Sequence, residues 1–372
     1  MATEYHAEHV GSLLRPPWLL EARDAHEAGK LPLEELREVE DRAILELIGL
    51  QQDAGIQIFT DGEARRESWR AGLMESLDGV APARRTMKWY RNGKELSPEE
   101  TLSDGVAAIR RVSRKGDLSS TESHFMAAHA PGAFKITMIS ASMGGMIWDP
   151  NLSGEAYPTL GDLIEDLAAL QIEEIAGLID QGVRWIQLDS LAYNQAIDPG
   201  QVGGSRAGAD PRAVLEAAVA VDSMIVSAVK AKNPDITVGM HMCRGNYRSS
   251  WMAQGSYEPV AERLFTEVPV DRFLLEYDTE RAGGFEPLRF VPRGENAPTV
   301  VLGLVTTKVP KLEDRDDLCR RVDEAARYVP LENLAISPQC GFASGSLGNL
   351  ITADDERRKL ELVVAAARQV WG

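Results

Sequence analysis

Residues 236–243 read Ile-Thr-Val-Gly-Met-His-Met-Cys, an apolar run that ends in a histidine and a cysteine two positions apart. The short length of the run and its β-branched residues predict a buried β-strand. Residues i and i+2 of a strand point to the same face, so His241 and Cys243 are expected to project together at the strand end. An imidazole and a thiol in this arrangement could bind a metal ion, or they could be a chance pair in a core strand.

Similar apolar runs recur along the chain, and longer amphipathic segments separate them. The other predicted strands are residues 9–12 (a weak one), 56–60, 134–139, 184–189, 272–276, 299–304 and 334–337. The predicted helices are residues 33–54, 163–181, 211–232, 260–266, 315–328 and 354–370. Strands and helices that alternate in this way are typical of an α/β fold with a parallel sheet. Eight strands predict a (β/α)₈ TIM barrel, whose working residues follow the C-terminal ends of the strands.

Residues 81–131 do not fit the alternating pattern. They form a long, charged stretch that prolines and glycines interrupt. We expect an insertion after the second strand, with a hairpin near residues 89–93 and at least one helix, which acts as a lid or a substrate wall. A solvated loop without a function is the alternative. No repeat or linker divides the chain, so one catalytic barrel domain over residues 1–372 is predicted.

The composition of the 372-residue chain excludes several classes of protein. A formal net charge of −17 argues against non-specific binding to nucleic acid or to an anionic membrane. No apolar run approaches the roughly 20 residues of a membrane span, and residues 1–6 lack the pattern of a signal peptide. Three cysteines do not make a disulfide framework, and thiolate ligands favour a reducing compartment. A cytoplasmic protein is therefore expected.

Two later strand ends carry further candidate metal ligands. Glu276 ends the apolar run after residues 236–243, and Cys340 follows the last run. With His241 and Cys243 they supply one carboxylate, two sulfurs and one nitrogen, a set that suits Zn²⁺. The third cysteine of the chain, Cys319, lies in a helical pattern and is not part of this set.

Polar and aromatic residues follow the remaining predicted strands. Ser12 follows the first strand, Glu63 the second and Trp148 the third, and Asp189 closes the fourth. In a barrel these side chains converge on the metal. Two buried carboxylates need a partner, which the ammonium group of a substrate would supply. Each carboxylate alone could instead be a helix cap or a surface charge.

These residues resemble cobalamin-independent methionine synthase, specifically its catalytic C-terminal barrel. The similarity runs over most of the chain, and it rests on the motifs at residues 9–12, 61–63, 187–189, 241–243 and 337–341. The resemblance implies a zinc ion that binds homocysteine as a thiolate. The zinc ligands that it implies are His241, Cys243, Glu276 and Cys340. The residues that it implies for the amino-acid end of homocysteine are Ser12, Glu63 and Asp189.

The chain also departs from the full-length synthase. It has no room for the duplicated N-terminal barrel that helps to bind a polyglutamylated folate, and Lys308 stands close to the place of a catalytic histidine. Arg244 directly follows Cys243 and puts a cation beside the metal. These differences resemble short single-barrel relatives. Among them are compact synthases with other methyl donors, and zinc enzymes that alkylate coenzyme M, such as epoxyalkane:coenzyme M transferase.

The sequence therefore predicts a zinc-dependent S-methyltransferase that activates a small thiol for attack on the methyl group of a donor. A free thiol has a pKa of ~8.5, and coordination to zinc deprotonates it. Asp189 and Lys308 are expected to take part in catalysis, Lys308 or a basic residue of the insertion as the acid for the leaving group. Trp148 and the insertion are expected to wall the donor side, and a partner protein that delivers the donor is one alternative.

The charge that the thiol substrate carries distinguishes homocysteine from coenzyme M. Glu63 and Asp189 suit the ammonium group of homocysteine, whereas Arg244 and Arg248 would suit the sulfonate of coenzyme M in an alkyltransferase. A structural zinc ion in a binding protein is a third hypothesis. The sequence leaves the donor and a homo-oligomeric state open.

Overall fold

Helices and strands alternate over most of the chain. The computed structural model describes residues 5–116, 118–198 and 210–372. The α-helices in this part are α1 (Pro17–Glu27), α2 (Leu33–Ala54), α3 (Ala71–Met74), α4 (Pro98–Thr101), α5 (Leu118–His129), α6 (Leu160–Asp180), α7 (Asn194–Ile197), α8 (Pro211–Lys232), α9 (Glu258–Glu267), α10 (Arg315–Ala325) and α11 (Ala353–Trp371). The strands are β1 (Ile58–Phe59), β2 (Leu77–Thr86), β3 (Tyr90–Arg91), β4 (Lys94–Glu95), β5 (Leu102–Arg114), β6 (Ala133–Phe134), β7 (Ile136–Ile139), β8 (Trp185–Asp189), β9 (Thr237–Met242), β10 (Arg272–Glu276), β11 (Thr299–Val305) and β12 (Leu334–Pro338).

A parallel six-stranded sheet forms the centre of the fold, in the order β12-β11-β10-β9-β8-β7. Each strand pairs with its neighbour in sequence, and in this register His241 of β9 lies opposite Asp189 of β8 and Leu274 of β10. Sequential parallel strands place all their C-terminal ends at one edge of the sheet. The structure thus confirms the α/β class and brings the predicted strand ends together.

Short pairings continue the sheet beyond both of its edges. Strand β1 pairs in parallel with β6, which Lys135 joins to β7. At the opposite edge, Ala7 forms a parallel bridge with Ile336 of β12. The N–H of Leu13 then donates a hydrogen bond of 3.1 Å to the carbonyl of Gly62, just after β1. The N-terminal segment therefore lies between the two outermost parts of the sheet.

Residues 9–12, the weak strand of the sequence prediction, are not a strand in the structure. The carbonyl groups of these residues accept hydrogen bonds from side chains instead of from a neighbouring strand. Lys135 Nζ donates to the carbonyl of His9 at 2.5 Å, and Gln187 Nε2 donates to that of Val10 at 2.8 Å. Thr60 Oγ1 donates to the carbonyl of Gly11, also at 2.8 Å. Because these carbonyls are already satisfied, the segment stays irregular although it is buried.

The long helices bury one face each against the sheet or against one another. Helix α8 buries Leu215, Val219, Ile225 and Val229, a spacing that places them on one side of the helix. Full burial of one such side chain contributes about 1.5–3 kcal/mol. None of the helices within the described ranges is long and apolar enough to cross a membrane.

The described part of the segment between β1 and β6 contains an antiparallel ribbon, a hairpin and the three helices α3, α4 and α5. Strands β2 and β5 form the ribbon, and β3 and β4 form the hairpin that the sequence predicts near residues 89–93. Asn92 and Gly93 make the turn with φ of 52° and 74°, a conformation that favours these two residue types. The hairpin contacts the loop after β9: the rings of Tyr90 and Trp251 stack at 4.7 Å, and their backbones exchange hydrogen bonds of 2.8 and 3.0 Å.

A fully buried ion network ties the N-terminal segment to the sheet. Glu8 Oε1 lies 2.8 Å from Lys135 Nζ, and Glu8 Oε2 lies 2.9 Å from the Arg272 guanidinium. All three side chains have no exposed surface. Burial raises the pKa of Glu8, but Lys135 and Arg272 outweigh it and hold the pKa below its ordinary value. Glu8 is therefore an ionised partner of two cations, Arg272 on β10 and Lys135 between β6 and β7.

We expect Glu8→Gln to lower the free energy of unfolding by about 3–5 kcal/mol, because it leaves two buried cations without their counter-charge. Urea unfolding followed by circular dichroism measures the change. Glu46→Gln is the control, since Glu46 and Arg42 form an exposed ion pair worth about 0–1 kcal/mol. Equal effects of the two substitutions would contradict the prediction.

Candidate active site

Three of the predicted metal ligands converge at the C-terminal edge of the sheet. One ligand atom each from His241, Cys243 and Cys340 lies within 4.8 Å of the others, and all three residues are buried. The two sulfur atoms are 3.7 Å apart. His241 and Cys243 come from the end of β9, and Cys340 comes from the turn after β12. We refer to these three residues as the His-Cys-Cys cluster.

A backbone contact fixes the imidazole of His241. Its Nδ1 lies 3.2 Å from the carbonyl of Leu274. Because a carbonyl only accepts, Nδ1 must carry a proton, and Nε2 is the ring nitrogen left to bind a metal ion. Nε2 is buried and has no hydrogen-bond partner within the described residues. Histidines that bind metal ions commonly donate their other ring N–H to a backbone carbonyl in this way.

The two cysteines influence each other strongly. Their contact lowers the pKa of the Cys340 thiol well below its ordinary value, with further help from His241, although burial acts against the shift. The same contact, together with burial, raises the pKa of Cys243. One thiolate is thus favoured even without a metal ion, and a cation in the cluster would favour the second one.

Glu276, the fourth predicted ligand, faces cations instead of the His-Cys-Cys cluster. One carboxylate oxygen forms an ion pair with Arg281, and the other accepts a hydrogen bond of 2.7 Å from the main-chain N–H of Arg244. Lys308 Nζ lies 4.0 Å from the second oxygen. Burial raises the pKa of Glu276, but Lys308, Arg281 and Arg244 outweigh it and lower the pKa to about 2. Glu276 is therefore an ionised carboxylate next to the cluster, held by Arg281.

A cavity of about 200 Å³ opens over the His-Cys-Cys cluster. The polar residues predicted for substrate binding, Ser12, Glu63 and Asp189, all line it. Its other walls are mostly apolar and include five methionines. The apolar and aromatic lining comprises Val10, Trp69, Met74, Met87, Trp89, Val106, Met143, Met146, Ile147, Leu191, Ala192, Tyr247 and Met252.

Glu63 presents an unsatisfied carboxylate oxygen. Its Oε1 accepts a hydrogen bond of 2.9 Å from Thr137 Oγ1, whereas Oε2 is buried and lacks a hydrogen-bond partner among the described residues. The backbone at Glu63 has φ of 56°, an uncommon conformation for a residue other than glycine. Burial raises the pKa of Glu63, although Arg66 acts in the opposite direction. The strained turn after β1 thus directs a partly unpaired carboxylate into the cavity wall.

Asp189 and Ser12 complete the polar part of the wall. Asp189 Oδ1 accepts a hydrogen bond of 2.8 Å from Gln187, and burial raises the pKa of Asp189 to about 7, although His241 opposes the shift. The Ser12 hydroxyl packs against Gly341, where any Cβ would collide with it. Only glycine at position 341 therefore leaves room for the hydroxyl at the cavity surface.

Four predicted site residues do not line the cavity: Glu276, described above, and Arg244, Trp148 and Lys308. The Arg244 guanidinium donates to the carbonyl of Gly255 at 2.8 Å and lies 4.0 Å above the ring of Tyr257. The indole N–H of Trp148 donates to a backbone carbonyl at 3.1 Å. Lys308 is buried behind Glu276, and its Nζ has no hydrogen-bond partner in the part of the chain that the structure describes.

Sequence reasoning missed several residues of the site. Arg281 lies five residues beyond the end of β10, and no local pattern indicates that it reaches Glu276. Met87 and Trp89 line the cavity from the connection between β2 and β3, a placement that only the docking of the hairpin reveals. Arg70 follows Trp69 in the cavity wall. For Met87 and Trp89, the sequence signal was their position in the long segment after the second predicted strand.

The arrangement combines soft ligands with an acidic cavity wall. Two sulfurs and one imidazole nitrogen are suited to Zn²⁺ or another soft metal ion. Two buried carboxylates near them are suited to a substrate cation. One cavity therefore brings together a set of soft metal-ligand atoms and two acidic side chains.

Comparisons with known proteins agree with this geometry. The family described as the catalytic domain of cobalamin-independent synthase matches residues 158–369. The chain is 35% identical to the uncharacterized protein YxjH of Bacillus subtilis over 99% of this chain and 95% of that protein. It is 25% identical to a methionine synthase of Saccharolobus solfataricus over 90% of this chain and 86% of that protein.

A solved structure also resembles the whole chain. It is a putative vitamin-B12 independent methionine synthase from Listeria monocytogenes, with a TM-score of 0.73 and 29% sequence identity. The alignment covers 99% of this chain and 98% of that one. The similarity therefore includes the segment between β1 and β6 as well as the sheet.

We expect oxidation with diamide to join Cys243 and Cys340 in metal-stripped protein, because their sulfurs need to approach only from 3.7 Å to about 2.05 Å. Thiol titration in denaturant should then find one free thiol in place of three. Cys243→Ser is the control and should keep both of its thiols. Three free thiols in the oxidised wild type would show that the cluster geometry is wrong.

Proposed function

Because the chain belongs to the family of cobalamin-independent methionine synthases, which are methyltransferases, we propose that it is a zinc-dependent S-methyltransferase acting on homocysteine. The observation that carries this proposal is the cavity in which Glu63 and Asp189 lie together with the His-Cys-Cys cluster. The product would be methionine. A cytoplasmic location is part of the proposal, since the activity needs reduced thiols.

The residues present fit a zinc ion. His241 offers a buried Nε2 without a hydrogen-bond partner among the described residues, and one ligand atom each from His241, Cys243 and Cys340 lies within 4.8 Å of the others. Zinc bound there would supply the positive charge that deprotonates a substrate thiol near neutral pH. The carbonyl of Leu274 would hold the imidazole in the required tautomer. Glu276 is the proposed fourth ligand, although here its carboxylate lies on Arg281.

Ser12, Glu63 and Asp189 are the proposed site for the amino-acid end of homocysteine. The free Oε2 of Glu63 can accept a hydrogen bond from an ammonium group, and Asp189 supplies a second acceptor in the same wall. An ammonium group would also offset the cost of burying the two carboxylates. The Ser12 hydroxyl, which Gly341 leaves uncovered, could donate to the substrate carboxylate.

The alternative acceptor, coenzyme M, receives less support. A coenzyme M site would need cations next to Cys243. The Arg244 guanidinium, however, is directed to Gly255 and Tyr257. Arg248 is exposed and does not line the cavity. Arg70 and Arg85 do line the cavity, but Arg85 donates to the carbonyls of two other residues. A sulfonate would therefore meet carboxylates at the cluster end of the cavity.

We also propose that the fold is a (β/α)₈ barrel. The N-terminal segment would take the first position, β1 the second, and β6 with β7 the third. The bridge from Ala7 to β12 and the hydrogen bond from Leu13 to Gly62 support this order. The segment between β1 and β6 would then be the insertion, and its hairpin would act as a lid over the donor side of the cavity.

The donor side is proposed to be the apolar part of the cavity. Met74, Met87, Met146 and Trp89 suit an uncharged, compact donor group. Lys308 does not reach the cavity and lies 4.0 Å from Glu276. We therefore propose Lys308 as an electrostatic partner of Glu276 rather than as the acid for the leaving group.

Metal analysis tests the zinc site. We expect about one zinc ion per chain, lost in Cys243→Ser and in Cys340→Ser because each removes one of the three clustered ligand atoms. Cys319→Ser is the matched control, since Cys319 is a free cysteine on α10, away from the cluster. Retention of zinc in Cys340→Ser together with its loss in Cys319→Ser would refute the assignment.

Asp189→Asn tests the acceptor. We expect this substitution to weaken homocysteine binding about tenfold or more, which corresponds to roughly 1.4 kcal/mol, with zinc retained. The cause is the loss of one negative charge facing the ammonium group. Isothermal titration with homocysteine, and with coenzyme M for comparison, measures the effect. Unchanged homocysteine affinity, or tighter binding of coenzyme M by the wild type, would favour the alkyltransferase.

A further inference from the structure

The carboxylate of Glu276 lies in a pocket of positive charge. Arg281 pairs with one oxygen, the Arg244 main-chain N–H donates to the other, and Lys308 Nζ lies 4.0 Å away. Glu276 has no exposed surface, so its negative charge depends on these partners. Two side-chain cations and a main-chain N–H therefore surround this one carboxylate.

Several contacts hold Arg281 in a fixed position. Its guanidinium lies 3.5 Å from Asp278 and 5.2 Å from the ring of Trp251, and its carbonyl accepts a hydrogen bond of 2.8 Å from Gly255. Its side chain is 12% exposed. These contacts hold the guanidinium in one place, so it offers a fixed second position for the Glu276 carboxylate.

The charge of the cluster explains why a second position is needed. One Zn²⁺ ion, two thiolates and a neutral imidazole sum to zero. One further anion, either Glu276 or a substrate thiolate, brings the sum to −1. Both together would bring the charge of the metal and its ligands to −2, which Arg281 and Lys308 would have to offset. Because zinc in proteins is most often four-coordinate, the substrate thiolate would take the place of Glu276, and the displaced carboxylate would need a cation.

We propose that Arg281 is the positioning residue that receives the Glu276 carboxylate when a substrate thiol takes its place at the metal. The inference rests on the proposed function and extends it to a residue outside the ligand set. The exchange is balanced in charge and protons. The thiol releases its proton to solvent, the sulfur brings one negative charge, and the carboxylate carries its own negative charge to Arg281.

Binding of homocysteine to the zinc-loaded full chain tests the proposal. We expect Arg281→Met to weaken binding at least fivefold in isothermal titration with buffered zinc, and Arg281→Gln, which lacks the charge but can still donate a hydrogen bond, to weaken it as well. Arg289→Met is the matched control, because Arg289 pairs with Glu258 at the surface. It should bind homocysteine like the wild type.

A double-mutant cycle separates a role through Glu276 from a merely structural one. In the Glu276→Ala background, Arg281→Met should change homocysteine affinity less than twofold, because no carboxylate is left to receive. X-ray absorption adds an independent readout. Homocysteine should replace an oxygen or nitrogen ligand by sulfur in the wild type, at a concentration where Arg281→Met keeps its original ligands.

The outcomes are distinct. Wild-type affinity in both Arg281 variants would overturn the proposal, and so would an equal loss in the Glu276→Ala background, which would indicate a structural role. If the wild type gains no sulfur ligand from homocysteine, the proposed function itself fails and the role of Arg281 falls with it.

Discussion

The parallel register of β8, β9 and β10 is the constraint on which the site depends. It places His241 between Asp189 and Leu274. The carbonyl of Leu274 then fixes the imidazole at 3.2 Å, and the cavity wall that contains Asp189 begins at the neighbouring strand. A shift of one residue would turn every side chain of β9 to the opposite face. The cluster and the acidic wall therefore exist together in this register alone.

Local rules were sufficient to predict much of this arrangement from the sequence. His241 and Cys243 share a face because a strand repeats every two residues. Asp189 and Cys340 could be assigned to the same edge because apolar runs of strand length precede both of them. Residues 9–12 were harder, since the side chains of Lys135, Gln187 and Thr60 satisfy their carbonyls. Those partners are distant in sequence, and no window around the segment contains them.

The directions of long side chains could not be predicted from the sequence, because they too depend on partners that are distant in sequence. Arg244 was expected to place a charge beside the metal, but only its main-chain N–H acts there, on Glu276, while the guanidinium packs on Tyr257. The ion pair between Glu276 and Arg281 depends on how the chain turns after β10. Such a turn is a property of the packed structure, because three-dimensional contacts and not local propensity select its conformation.

The cavity would recognise its two proposed substrates by different physical means. At the cluster end, charge would decide, because a cationic group would stabilise the ionised forms of the buried Glu63 and Asp189. At the other end, methionine and tryptophan side chains offer mainly shape and dispersion. One methylene group in such a pocket changes affinity by only about 1–3 kcal/mol. The proposed acceptor would therefore be specified by few residues, whereas selection of the proposed donor would be distributed over the whole apolar wall.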